Sequence, residues 1–159
     1  MSATVDANIL VHASNQSDSV HLHAIQLVQR LAAGPDLFYL FWPVVLGYLR
    51  IVTHPAILPK PLSSREATAN ADALLQLPHV RAPGEADGFW ELFRVTSRDQ
   101  ARGNEVPDAH VVTLMRQYGV RRIYSRDNGL RRYADIEVVD PFAAPLPGRR
   151  RGRRVTGSP

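Results

Sequence analysis

Three aspartates stand at the ends of predicted elements. Asp6 follows the β-prone run Ala3-Thr4-Val5, Asp127 follows Arg122-Ile123-Tyr124-Ser125, and Asp108 opens a helix-patterned segment leading into that second run. In an open parallel sheet, ligands bind beyond the carboxyl ends of the strands, near the point where strand order reverses. If the first and fourth strands are neighbours, the three carboxylates converge there. Clustered carboxylates repel one another, and a divalent cation relieves that repulsion while staying compatible with neutral pH. Oxygen ligands suit Mg²⁺ or Mn²⁺, and such a site can activate water and clamp a phosphoryl oxygen, as phosphodiester hydrolysis requires. Taken singly, each acid also has a plain structural role: Asp6 as a turn residue, Asp108 as a helix N-cap, Asp127 in an Asx-turn. Their joint placement points to chemistry.

Other chemistries find less support. The chain has no cysteine, which excludes a disulfide scaffold, a zinc-thiolate site and a thiol nucleophile. Of six histidines, only His21 and His23 are close in sequence, and on a helix such side chains diverge. There is no P-loop and no Ser-centred nucleophile elbow. His12, Trp42 and Trp90 are assigned to packing, the tryptophans to the core or a dimer interface.

Alternating elements must position the acids. Leu22, Ile25, Leu27, Val28 and Leu31 mark a helix that Gly34-Pro35 stops, and Leu37 to Phe41 reads as a strand. A helix runs from Pro43 to Val52, and Ser63 with Glu66 has capping-box spacing for the next. His79-Val80-Arg81 is a short third strand. Ala86-Asp87 opens a helix whose Phe89, Trp90, Leu92, Phe93 and Val95 are expected in the core. Asp108 starts a helix with Ala109, Val112, Leu114 and Met115 inward, and Ile136 to Val139 is the fifth strand. Strands alternating with helices imply right-handed crossovers and a parallel sheet covered on both faces, a three-layer α/β/α sandwich.

The 159 residues suit one domain, with apolar residues at 45% and charged residues at 21%. The boundary is expected at 1–144, followed by a disordered Arg-rich tail at 145–159. Net charge is +4, but five arginines fall in the acid-free last eleven positions, leaving the rest of the chain at −1. The tail is either a solubilising terminus or a nucleic-acid contact. No stretch approaches the roughly 18 apolar residues of a membrane span, and no signal-peptide pattern opens the chain, so a cytoplasmic location without membrane attachment is expected.

Four ordered segments carry a resemblance: Thr4 to Leu10 (TVDANIL), Trp42-Pro43 through His54-Pro55, Gly103 to His110 (GNEVPDAH) and Tyr124 to Tyr133 (YSRDNGLRRY). In this order and spacing they resemble the PIN-domain ribonucleases, and most of all the VapC toxins of bacterial toxin-antitoxin pairs. The resemblance covers most of residues 2 to 142. It implies strand order 3-2-1-4-5, Mg²⁺- or Mn²⁺-dependent endonuclease activity on RNA, a homodimer and a small VapB-like antitoxin. By motif match Asp6, Asp108 and Asp127 are the metal-binding, catalytic acids, with Asn8, Asn104 and Ser125 as polar supports. Arg50, Arg102 and Arg126 lie near the motifs and are candidates for RNA phosphate.

One position departs from the pattern. The resemblance places a glutamate on the helix after the second strand, and this chain has Gly47 there, within Leu46-Gly47-Tyr48-Leu49-Arg50. Glycine within a helix costs about 0.5 to 1 kcal/mol relative to alanine, so nothing local favours it. Glu105 is a nearby acid that could substitute, although it lies in a different loop. The rival reading is therefore a degenerate PIN domain that binds RNA or antitoxin without cleaving.

Overall fold

The computed structural model describes residues 1–143; the tail expected at 145–159 lies outside the described residues. Five short parallel strands form one sheet of order β3-β2-β1-β4-β5: β1 (Ala3–Val5), β2 (Phe38–Tyr39), β3 (Val80–Arg81), β4 (Arg122–Tyr124) and β5 (Glu137–Val139). The expected three-layer parallel α/β architecture and strand order are both present. Between the strands run α1 (Ala7–Ser14), α2 (His21–Ala33), α3 (Trp42–Val52), α4 (Ser64–Leu75), α5 (Phe89–Ser97) and α6 (Glu105–Gln117), and a 3-10 turn spans Asn128–Arg132. None of these helices is long and apolar enough to cross a membrane.

Central β1 is buried on both faces, as all-parallel sheets require. Even its polar Thr4 is fully buried, its hydroxyl donating to the Tyr39 carbonyl at 2.7 Å. Register pairs Val5 with Tyr124, so β1 and β4 end side by side, and the ladder continues as the Asp6 amide donates to the Tyr124 carbonyl at 2.9 Å. Strand order thus brings Asp6 and the loop after β4 to one edge.

Several boundaries and faces differ from expectation. The segment after Asp6 shows no clear helical period, yet it forms α1. That helix packs against both α2 and α3, and Ile9, Leu10 and Val11 are consecutively buried, so no single apolar stripe exists to be read. β2 is shorter than Leu37–Phe41, because Phe41 is already the N-cap of α3. The capping box at Ser63 and Glu66 forms as expected. α5 opens at Phe89 rather than at Ala86, after Gly88 at φ +77°. The expectation that Trp90 and Val95 face the core fails: they are 62% and 69% exposed, while Phe89, Leu92 and Phe93 are half-buried. Leu22 on α2 and Trp42 on α3 are also exposed. Helical spacing marks a stripe, and these residues lie where it reaches the helix edge.

Candidate functional site

The sheet edge gathers the three aspartates through unlike local devices. Asp6 is the N-cap of α1, its Oδ1 accepting from the Asn8 amide at 3.4 Å. Asp127 caps the 3-10 turn, its Oδ1 accepting from the Gly129 amide at 2.7 Å. The turn roles expected of these two therefore exist, and they leave carboxylate oxygens available. Asp108 is not an N-cap. Its helix begins at Glu105, which places Asp108 in the first turn of α6, where the helix dipole favours a negative charge.

Ser125 joins two of the acids. Fully buried, its hydroxyl donates to Asp6 Oδ2 at 2.9 Å and accepts from the Asp127 amide at 2.9 Å. Gly129 joins the other pair, since a Cβ built on it would lie 3.0 Å from Asp127 Oδ1 and 3.7 Å from Asp108 Oδ2. Both carboxylates therefore lie close to the space a side chain at position 129 would enter, and such a side chain would crowd Asp127. Asp108 registers the crowding: burial, then the charges of Asp127 and Asp6, push its pKa up to about 6, against the opposing pull of Arg132. Arg132 lies 3.5 Å from Asp108 and donates to Glu105 Oε1 at 2.7 Å.

Beside these acids opens a cleft of about 250 Å³ lined by Asp6, Asn8, Ile9, His12, Arg126 and Asp127. His12 is fixed by its Nδ1 contact to Asp18 at 2.5 Å, and its ring meets Phe142 edge-on, while the Arg126 guanidinium lies over the same phenyl ring. The charged donors in and beside the cleft that could hold a metal are carboxylates, with the Asn8 carboxamide oxygen and the His12 imidazole beside them. Among the described residues, no three His, Asp or Glu side chains close into a compact metal cage.

Sequence similarity now bears on this geometry. The chain is 48% identical over 144 residues to Ribonuclease VapC48 of Mycobacterium tuberculosis, covering 90% of this chain and 99% of that one. This chain belongs to the VapC ribonuclease family. No protein-family model matches it. Its fold is shared with Mycobacterium tuberculosis VapC20, described as a Sarcin-Ricin loop cleaving toxin, at TM-score 0.63 and 22% identity over 86% of this chain and 98% of that one. A toxin-antitoxin complex from Klebsiella pneumoniae has a chain of the same fold, at TM-score 0.57 and 13% identity over 89% and 99%.

Within this VapC fold the remaining sequence candidates separate. Asn8 and Ser125 stand at the acids, whereas Asn104 is the exposed N-cap residue of α6 and makes no side-chain capping bond. Arg126 lines the cleft. Arg102 lies instead in a groove beyond Glu105, and Arg50 is exposed in the last turn of α3. Glu105 is within electrostatic reach of Asp108, but its carboxylate is taken by Arg132 and by the Arg102 amide at 3.3 Å. Gly47 faces α1: a Cβ there would meet the Ala7 Cβ at 3.4 Å, one residue from Asp6.

Gly129, Arg132 and the His12–Asp18 pair gain roles that sequence reasoning did not give them. Gly129 and Arg132 sit inside the recognised segment Tyr124 to Tyr133, but a motif does not say which members touch an acid. His12 lies four positions after Asn8, and that i,i+4 spacing on one short helix was the available signal.

Proposed function

We propose that this chain is a Mg²⁺- or Mn²⁺-dependent endoribonuclease toxin that hydrolyses RNA phosphodiester bonds and is restrained by a cognate VapB-like antitoxin. The carrying observation is the convergence of Asp6, Asp108 and Asp127, with Asp108 pushed up to about 6 first by burial and then by the charges of the other two. That repulsion is what a cation would relieve. Mg²⁺ commonly takes one or two carboxylates and keeps several waters, so an all-protein cage is not required. Asp6 and Asp108 would hold the principal ion, and Asp127 would position it or a second one. A cation there would supply Lewis acidity toward a phosphoryl oxygen and lower the pKa of the attacking water.

The protein's own groups do the arranging. Ser125 fixes the Asp6 carboxylate, the Gly129 amide fixes Asp127, and Arg132 offsets part of the negative charge before metal binds. Arg126 and His12 line the cleft and would meet a backbone phosphate entering it. The antitoxin partner is supported by the toxin-antitoxin complex that shares the fold. A homodimer is supported by the exposed Leu46, Trp90 and Val95, large apolar groups that a second copy would cover. An RNA-cutting toxin of this kind works in the cytoplasm.

Gly47 favours a second reading, a VapC-family domain that binds RNA without cutting it. Incubating a structured RNA with the chain and Mn²⁺, beside Asp6→Asn and Gly47→Glu, separates the two. The nuclease reading expects cleavage that Asp6→Asn abolishes. Cleavage by neither the natural chain nor Gly47→Glu, or cleavage that survives Asp6→Asn, defeats it.

A further inference from the structure

A second, larger polar groove of about 590 Å³ adjoins the acids, between the end of α5, α6 and the turn that carries Arg132. Four guanidiniums line it, from Arg98, Arg102, Arg116 and Arg132, against two carboxylates, Glu105 and Asp135. The surplus is positive, on a molecule whose charge outside the tail is close to neutral.

The four arginines divide into two kinds. Arg116 is fixed by two bonds to Asp135, at 2.9 and 2.7 Å, and by a third to the Thr96 hydroxyl at 2.9 Å. Arg132 is held by Glu105 and Asp108. Both also lie over the ring of Tyr133, at 5.8 and 5.2 Å. Arg98 and Arg102 are exposed, and their guanidiniums make no hydrogen bond or ion pair among the described residues. Arg98 sits in a left-handed turn with Asp99, at φ 52° and 51°, a conformation that non-glycine residues rarely adopt. Asp99 is bound by Arg94 through two 3.0 Å bonds, which anchors that turn and leaves the Arg98 side chain free of it. The groove therefore has a fixed floor and two unpaired cations on its rim.

Arg132 and Glu105 belong both to this groove and to the surroundings of Asp108, so the groove adjoins the acid centre across that ion pair. We propose that it is a backbone-phosphate subsite for the RNA strand flanking the scissile bond, with Arg98 and Arg102 as the phosphate-binding side chains. This rests on the endoribonuclease reading, and it gives the substrate a path: across Arg132 from the acids, then along the rim. Planar guanidiniums suit phosphate through bidentate pairing. The paired arginines shape the wall, because a cation already bonded to two carboxylate oxygens has little left to offer a phosphate.

The test is fluorescence anisotropy with a labelled 20-nucleotide single-stranded RNA of mixed sequence and the full chain in EDTA, over a salt series. On single strands, counterion release contributes about 0.7 to the slope of log affinity against log salt for every phosphate that a cationic side chain neutralises. Arg98→Gln/Arg102→Gln should therefore flatten the slope by up to about 1.4, and Arg98→Lys/Arg102→Lys should largely restore it. The distal pair Arg30→Gln/Arg65→Gln, on α2 and α4, should leave it unchanged. A slope unchanged in the first variant overturns the groove while leaving the nuclease reading intact, and an equal flattening in the distal pair does the same. If the groove variant instead binds RNA normally but no longer binds its cognate antitoxin, the groove is an antitoxin surface and the proposal fails. No RNA binding by the natural chain at low salt sinks the nuclease reading and the groove together.

Discussion

The Ser125 hydroxyl stands between two acids that are 121 positions apart in the chain, donating to Asp6 and accepting from the amide of Asp127. A single buried oxygen thereby ties the end of β1 to the loop after β4. Replacing Ser125 by Ala leaves the Asp127 amide and one Asp6 oxygen without this partner, at a cost of about 1 to 3 kcal/mol. We expect a lower urea midpoint together with reduced Mn²⁺-dependent RNA cleavage. Unchanged cleavage in Ser125→Ala would show that Asp6 needs no such support.

Asp108 yields a prediction in pH. Its carboxyl rises from an ordinary 3.8 to about 6 in the folded chain, so between those values the native state holds more protons than the unfolded one. Stability without metal is therefore greatest below about pH 4 as far as this group is concerned, and is lost as pH rises through about 6. Asp108→Asn removes that penalty. In EDTA it should raise the melting temperature at pH 7.5, by an amount on the order of 1 to 3 kcal/mol in stability, and give no gain at pH 4. Equal effects at both pH values would mean that neither burial nor the neighbouring charges penalise the Asp108 carboxylate.

In the presence of metal the same group acts in the opposite sense. A cation must displace the proton from Asp108, so binding should strengthen as pH rises through about 6 and release protons below it. Calorimetric titration in two buffers of different ionisation enthalpy measures the proton count directly. Mn²⁺ binding without proton release at pH 5.5 would remove Asp108 from the ligand set.

Position 47 separates a helix effect from a ligand effect. The Cβ of Gly47→Ala fits against Ala7 at the tight end of ordinary contact, so relief of the glycine penalty should stabilise the chain by about 0.5 to 1 kcal/mol without changing metal affinity. Gly47→Glu adds a carboxylate beside Asp6 and should raise Mg²⁺ affinity by at least about tenfold, or 1.4 kcal/mol. Equal affinities for the two variants would show that this face of α3 does not serve the metal.

The last described residues run past the cleft, with Phe142 in contact with His12 and Arg126. In the sequence, the arginines at 149, 150, 151, 153 and 154 follow Phe142 by seven to twelve positions. Deleting residues 148 to 159 should flatten the salt dependence of RNA binding by about 0.7 for every tail arginine that neutralises a phosphate, while metal-dependent cleavage at low salt survives. An unchanged slope would leave Arg126 and the groove arginines as the phosphate-binding groups.

Trp90 is stacked on Phe93 at 5.7 Å yet mostly exposed. Trp90→Ser should barely alter thermal stability but should convert a dimer to a monomer in light scattering at micromolar concentration. A dimer that persists would place the interface elsewhere.

The sequence by itself determined the layered fold and singled out the three acids that the structure brings within electrostatic reach of one another. Strand-helix alternation leaves few topologies once crossovers are right-handed; Asp6 and Asp127 each follow a patterned strand, while Asp108, expected to open its helix, lies inside the first turn. Local pattern did not reveal α1, because a helix packed on two sides buries Ile9, Leu10 and Val11 in succession and keeps only a narrow polar edge at Asn8 and His12. Nor could it show that Trp90 and Val95 point outward, since a stripe's edges are fixed only by what packs against it. Tertiary structure alone decided that Ser125 bridges Asp6 to Asp127, that Gly129 lies close to both Asp127 and Asp108, and that Arg132 stands between the acids and a basic groove. Those relations depend on β1 lying next to β4, with Asp6 and Ser125 119 positions apart, and on α6 starting beside the turn after β4, with Asp108 and Arg132 24 apart. Spacing along the chain carries no record of such proximity until the sheet closes it.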